Sequence, residues 1–211
     1  RMGDIWGIPF STLASFVLTS LVIEVTPGPN MTYLALVAAS DGRRAGFVTV
    51  GGITLGLALI GVVAGVGVAE AIQASDTLYA ILRWAGVAFL LYLAWDGWRS
   101  PAATEPHRDG EDGKYFLRGL LTNLLNPKAG VFYIAVLPTF MTPQSSPVPQ
   151  AMLLTAIYVG VATLAHGSIV LLAGTLEPLL NDPRREKVVR RVLSALLALV
   201  ALWFAWVTAP T

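Results

Sequence analysis

The chain has 211 residues, 55% of them hydrophobic and 13% charged, with a formal net charge of +1 and a mean hydropathy of +0.67. An ordinary soluble domain carries about a quarter charged residues, so this composition excludes a water-clad globule and points to a helical membrane bundle. With no cysteine, disulfides, thiolate metal sites and thiol-based electron transfer are excluded too.

An apolar stretch of about 20 residues spans a bilayer core of roughly 30 Å. Six such stretches follow one another, at 10–39, 46–72, 77–98, 115–140, 148–176 and 188–208. The first lacks a basic n-region and outruns an h-region, so it reads as a span and not as a signal peptide. Glu24-Val25-Thr26-Pro27-Gly28-Pro29-Asn30 interrupts it near its middle. Asp41-Gly42-Arg43-Arg44 is the polar link to the second span, which carries Gly52-x-x-x-Gly56 and Gly61-x-x-x-Gly65 and has Glu70 near its outer end. That small-residue spacing lets helices approach closely, within the bundle or between subunits of a homo-oligomer. In the third span Arg83 and Asp96 lie within snorkelling reach of an interface. Trp95 and Trp98, like Trp203 and Trp206 of the sixth span, fit interfacial belts. A polar link at 100–114 leads to the fourth span, interrupted by Asn123-Leu124-Leu125-Asn126-Pro127-Lys128. The fifth holds His166 near its centre. The expected fold is an all-α membrane protein in one domain, residues 1–211. It comprises two inverted three-helix repeats (1–99 and 115–211) joined by a cytoplasmic linker, with helices 1 and 4 broken at mid-membrane.

Alternating sides place Arg43, Arg44, Arg99, Arg108, Lys114, Arg118, Arg184, Arg185, Lys187, Arg190 and Arg191 together on one side, and only Arg1 on the other. The positive-inside rule puts the basic loops in the cytoplasm and both termini outside. Topology accounts for these charges, so no nucleic-acid partner is expected; lipids and a small solute are.

The two proline interruptions carry the functional reading. A proline has no N–H and clashes with the carbonyl four residues back, so Pro27 frees the carbonyl of Ile23, Pro29 that of Val25 and Pro127 that of Asn123. Such a break is tolerated at bilayer depth only inside protein or against a wet cavity. Asn126 before Pro127 reads as an N-cap and first helical position, which would aim the N–H groups of Lys128, Ala129 and Gly130 at the midplane. Near Pro29 a second half-helix would aim those of Asn30 and Met31 there. An offset of one hundred residues aligns Pro27 with Pro127, Tyr33 with Tyr133, Ala35 with Ala135 and Leu21 with Leu121. Broken helices in corresponding places of two inverted halves point to a transporter's substrate site. The alternative is that both prolines merely kink packed helices.

A charged side chain at mid-membrane costs about 2.5–3.5 kcal/mol on insertion scales, yet Glu24 and Lys128 both sit at that depth. Lys128 and the half-helix start at Pro127 are expected to attract a substrate carboxylate. Glu24 and the freed carbonyls would receive its ammonium. Glu24 is also placed to carry a coupling proton, and His166, whose free side chain titrates near neutrality, to relay it. A structural Glu24–Lys128 ion pair and a packing role for His166 are the plainer alternatives.

These residues give the chain a resemblance to the lysine-exporter and homoserine/threonine-resistance family of bacterial amino-acid exporters. It rests on Thr26-Pro27-Gly28-Pro29-Asn30, Gly42-Arg43-Arg44-Ala45-Gly46, Gly51-Gly52-x-x-x-Gly56, Leu82-Arg83-Trp84-Ala85-Gly86, Tyr92-Leu93 with Gly97-Trp98, and Asn123-Leu124-Leu125-Asn126-Pro127-Lys128. The resemblance implies an inner-membrane secondary transporter that exports amino acids or close derivatives by proton antiport. It places the transport site at Pro27, Gly28, Pro29, Asn30, Asn123, Asn126, Pro127 and Lys128, and implies no cofactor. The family's motif fixes no residue type at Glu24 or His166. A non-transporting membrane sensor or assembly protein is the alternative from another class. A membrane enzyme would need a nucleophile, metal cluster or acid pair that the chain does not offer.

Overall fold

The computed structural model describes residues 4–25, 28–67, 75–99, 110–142, 144–175 and 182–207. It is almost entirely helical. A two-residue antiparallel pair, β1 (Asp4–Ile5) and β2 (Ile8–Pro9), turns through Gly7 at φ +84° and leads into α1 (Phe10–Val25). Then come α2 (Pro29–Ser40), α3 (Gly42–Gly65), α4 (Asp76–Arg99) and α5 (Asp112–Leu124). α6 (Pro127–Val131) continues through a π-wound stretch, Phe132–Val136, and a 3-10 turn, Leu137–Phe140. α7 (Pro147–Gly174) and α8 (Pro183–Val207) complete the chain.

Among the described residues, α3 and α7 can each cross a bilayer by length and composition; counting each bent pair as one span raises the number to four. Phe10–Glu24 and Pro29–Ser40 meet at 61°, and Asp112–Leu124 and Lys128–Phe140 at 51°. Pro29 is the first residue of α2 and Pro127 that of α6, as their missing N–H favours. Pro27 lies outside the described residues, as do Glu70 and Arg108.

Two helices begin within stretches expected as links. The link at 41–44 shrinks to Asp41, whose N–H still bonds the Val37 carbonyl at the end of α2. Gly42 then reverses the chain at φ +90°, a conformation open to glycine without a Cβ penalty, and Arg43 and Arg44 enter the first turn of α3. α5 likewise begins at Asp112, inside the stretch 100–114 expected as a linker.

Glycines set the packing. A Cβ on Gly52 would meet the Phe116 carbonyl oxygen, and one on Gly119 the Thr49 carbonyl oxygen, so α3 and α5 touch backbone to backbone. Gly56 lies against Asn123, Gly61 against Thr155 and Tyr133, and Gly65 against Met152. Both small-residue motifs therefore serve contacts inside the bundle. α3 also packs on α7, α4 on α8, and α2 on α3, α7 and α8.

The two ends of the bundle differ in chemistry. At one, Arg44 pairs with Asp112 (3.1 Å) and Arg118 with Asp96 (2.7 Å), while Arg191 lies over the Trp98 ring. These contacts gather the starts of α3, α5 and α8 with the end of α4. At the other, the hairpin docks on the segment before α7. Gly7 accepts a bond from Thr142 Oγ1 (3.1 Å), and Ile8 is fully buried. Buried Gln150 accepts from Thr142 N–H (2.7 Å) and donates to the carbonyls of Thr142 (3.0 Å) and Ser145 (3.1 Å). Sequence reasoning gave no sign of this cap, which two distant segments build. Trp95, Trp98, Trp203 and Trp206 are exposed on the bundle surface.

Candidate functional site

The helix breaks and the centre of α7 enclose one small cavity, lined by Glu24, Gly28, Asn30, Asn123, Asn126, Lys128, Tyr158 and His166 with Met31, Leu57 and Ala129. All the expected site residues whose placement is described, except the first residues of α2 and α6 (Pro29 and Pro127), are therefore among its lining. Its volume of about 10 Å³ is room for about one water molecule.

Glu24 is 6% exposed, and both of its carboxylate oxygens are engaged. Tyr158 OH donates to Oε1 at 2.6 Å, and His166 Nε2 lies 3.2 Å from Oε2. If that nitrogen carries the proton, the other, His166 Nδ1, is an acceptor; it is buried and has no hydrogen-bond partner among the described residues. Tyr158 is stacked on Phe132 with centroids 3.6 Å apart, which fixes the ring so that its hydroxyl meets the carboxylate. Sequence reasoning missed Tyr158. Its signal was the i, i+4 spacing of Tyr158, Ala162 and His166, which sets them on one face of α7.

Across the cavity Asn30 Nδ2 donates to Asn123 Oδ1 at 2.8 Å. Two facing amides can exchange two bonds; here only one forms, and Asn30 Oδ1 and Asn123 Nδ2 are buried without partners among the described residues. The pair leaves one acceptor and one donor unspent.

The two half-helix starts are unequal. Asn126 caps α6 with its side chain, accepting the Lys128 N–H at 3.0 Å, and its carbonyl accepts from Ala129 (3.1 Å) and Gly130 (3.3 Å). The Asn123 carbonyl, which Pro127 cannot serve, accepts from Asn126 N–H at 3.0 Å. Asn126 is the N-cap expected from the sequence, and the amides of Lys128, Ala129 and Gly130 are all spent on it. α2 is different, because Gly28 at its N-cap has no side chain to place there. Its carbonyl accepts from Thr32 N–H and Thr32 Oγ1, both at 3.0 Å. Among the described residues no group of His, Cys, Asp and Glu is arranged to hold a metal ion.

Residues 21–207 match the family model described as LysE type translocator. The chain is 27% identical over 194 residues to the homoserine/homoserine lactone efflux proteins of Salmonella typhi and Salmonella typhimurium, covering 90% of this chain and 94% of each relative. It is 28% identical over 164 residues to an uncharacterized membrane protein of Vibrio cholerae, covering 76% of this chain and 78% of that protein. No solved structure matches.

Proposed function

The chain belongs to the LysE type translocator family, and from that membership we propose that it exports amino acids or close derivatives across the bacterial inner membrane in exchange for protons. The observation that carries this reading is the small polar cavity at the helix breaks. It holds one buried acid, one histidine, one lysine and two half-paired amides, with no room for solvent beyond a water. A zwitterion needs a positive partner, a negative partner and neutral donors and acceptors, and the lining offers each. Lys128 receives the carboxylate. The start of α2, uncapped by a side chain and built from Gly28, Pro29 and Asn30, adds its dipole. This replaces α6, whose first amides are spent on Asn126. Asn30 Oδ1 and Asn123 Nδ2 take the ammonium and a second polar group of the solute. Since two relatives are named for homoserine and its lactone, a small solute without a charged side chain is the first to test.

Proton exchange is assigned to the Glu24–His166 pair. Both Glu24 oxygens already face donors, so the atom left to accept a proton is His166 Nδ1. The imidazolium formed there would rest against the Glu24 carboxylate, with Lys128 the other charge at the cavity. Six spans in two inverted halves, with the basic end cytoplasmic and both termini outside, would let the cavity open alternately to each end.

The test uses purified protein in liposomes with an imposed pH gradient and labelled homoserine, threonine and homoserine lactone. At least one solute should move with the gradient. Glu24→Gln and His166→Asn should abolish the dependence on the gradient, and Lys128→Ala should raise the half-saturating solute concentration at least tenfold. Absence of any solute movement under any gradient would end the reading.

A further inference from the structure

Besides Ser194 Oγ, which lies against Gly97 of α4, three buried hydroxyls stand apart from the cavity lining and have no partner among the described residues: Ser20 Oγ on α1, Tyr133 OH beyond α6 and Thr155 Oγ1 on α7. Their residues are 0%, 2% and 6% exposed. Folded proteins leave few buried polar groups unpaired, because each forfeits its bonds to water. These three also share a level. α1 and α7 both begin at the hairpin end and are tied by the Tyr158–Glu24 bond. Ser20 precedes Glu24 by four residues and Thr155 precedes Tyr158 by three, which places both about 4.5–6 Å toward the hairpin end. Tyr133 stands edge-on to Tyr158, centroids 5.5 Å apart. It lies in the π-wound stretch, a winding that concentrates at functional sites. A Cβ on Gly61 would meet both Thr155 and Tyr133, so α3 closes over them there. Tyr33, a hundred positions earlier and equally buried, lies beside Arg118.

We propose that Ser20, Tyr133 and Thr155 line the route by which the solute leaves the cavity toward the hairpin end. Their hydroxyls accept from its ammonium and donate to its carboxylate as it passes. This rests on the export reading above and adds to it a direction and a set of residues. The hydroxyls find no partner among the described residues while α1, the π-wound stretch and α7 are closed on one another, and they gain partners when a polar solute separates them. The closed arrangement is thereby disfavoured relative to the loaded, opening one. Gly61 marks where α3 seals the passage.

The absence of native cysteine makes single-cysteine variants clean probes. In liposomes, Ser20→Cys and Thr155→Cys should react with a water-soluble thiol reagent supplied at the hairpin side. The reaction should be at least tenfold faster during gradient-driven export of the labelled solute than at rest. Val170→Cys, fully buried near Gly46 at the basic end, should stay unlabelled. Thr155→Val combined with Tyr133→Phe should lower the maximal export rate at least fivefold and leave half-saturation at the basic side within twofold. Cysteines at 20 and 155 as inert as that at 170 during turnover, or a Thr155→Val, Tyr133→Phe protein exporting at the wild-type rate, would overturn the proposal while wild-type export stands. A wild-type protein that moves no solute would overturn the export reading and this route with it.

Discussion

The hydroxyl of Tyr158 lies 2.6 Å from Glu24 Oε1, across 134 positions of sequence, and joins the centre of α7 to the last turn of α1. A hydrogen bond to a buried charged group is worth about 1.5–3 kcal/mol, so this contact both anchors the break and fixes the carboxylate. Tyr158→Phe keeps the stack on Phe132 and removes only the donor. Its expected outcome is a melting temperature lower than wild type and an export rate at least tenfold lower, read by thermal unfolding in detergent and by flux in liposomes. Unchanged flux would mean that the bond serves folding alone.

The Asn126 side chain accepts the Lys128 N–H at the start of α6. Replacing such a cap by alanine costs about 1 kcal/mol. Asn126→Ala is expected to lose that much stability and Asn126→Asp to retain most of it, as measured by denaturant unfolding of the purified protein. Equal stability of the two variants would count against the cap.

Gly52 lies where α3 meets the backbone of α5, and a Cβ there would meet the Phe116 carbonyl. Backbone cannot yield as a side chain can, so Gly52→Ala should destabilise by about 1–3 kcal/mol, the range for overpacking. Gly160, on α7 with open space where its Cβ would be, is the control. Gly160→Ala should be neutral or slightly stabilising, since alanine is the better helix former. Parallel melting curves of the two proteins distinguish them.

Gln150 is fully buried and its amide holds Thr142 and Ser145 at the hairpin-bearing end. Gln150→Leu has a similar volume but leaves the Thr142 and Ser145 backbone groups without these partners, at about 1–3 kcal/mol for each group left unsatisfied. Faster amide hydrogen exchange is expected at residues 5–9 and 142–150, with little change in α3. Exchange that is unaltered at both segments would refute the clamp.

Much of this protein was written in its order of residues. Long apolar stretches with few charges dictate helices in a bilayer, because lipid offers the backbone no other hydrogen-bonding partner. Pro29, Asn126 and Pro127 fix where two helices restart, since a missing N–H and a short polar side chain act within one turn. The spacing of Gly52 and Gly56 announced a close helix contact for the same local reason. Glu24, Lys128 and His166 were recognisable because a charge or an imidazole among apolar neighbours needs a purpose.

What the tertiary structure alone decided is who meets whom. Tyr158 became the partner of Glu24, Gln150 the clamp beneath Gly7, and Gly52 and Gly61 the seats of α5 and of Thr155 with Tyr133. Asn126 turned the amides at the start of α6 inward on itself, whereas Gly28 gives the start of α2 no side-chain cap. Periodicity along a chain shows which face of a helix is apolar. It carries no information on which distant helix that face will touch, because that choice follows from packing all the helices at once.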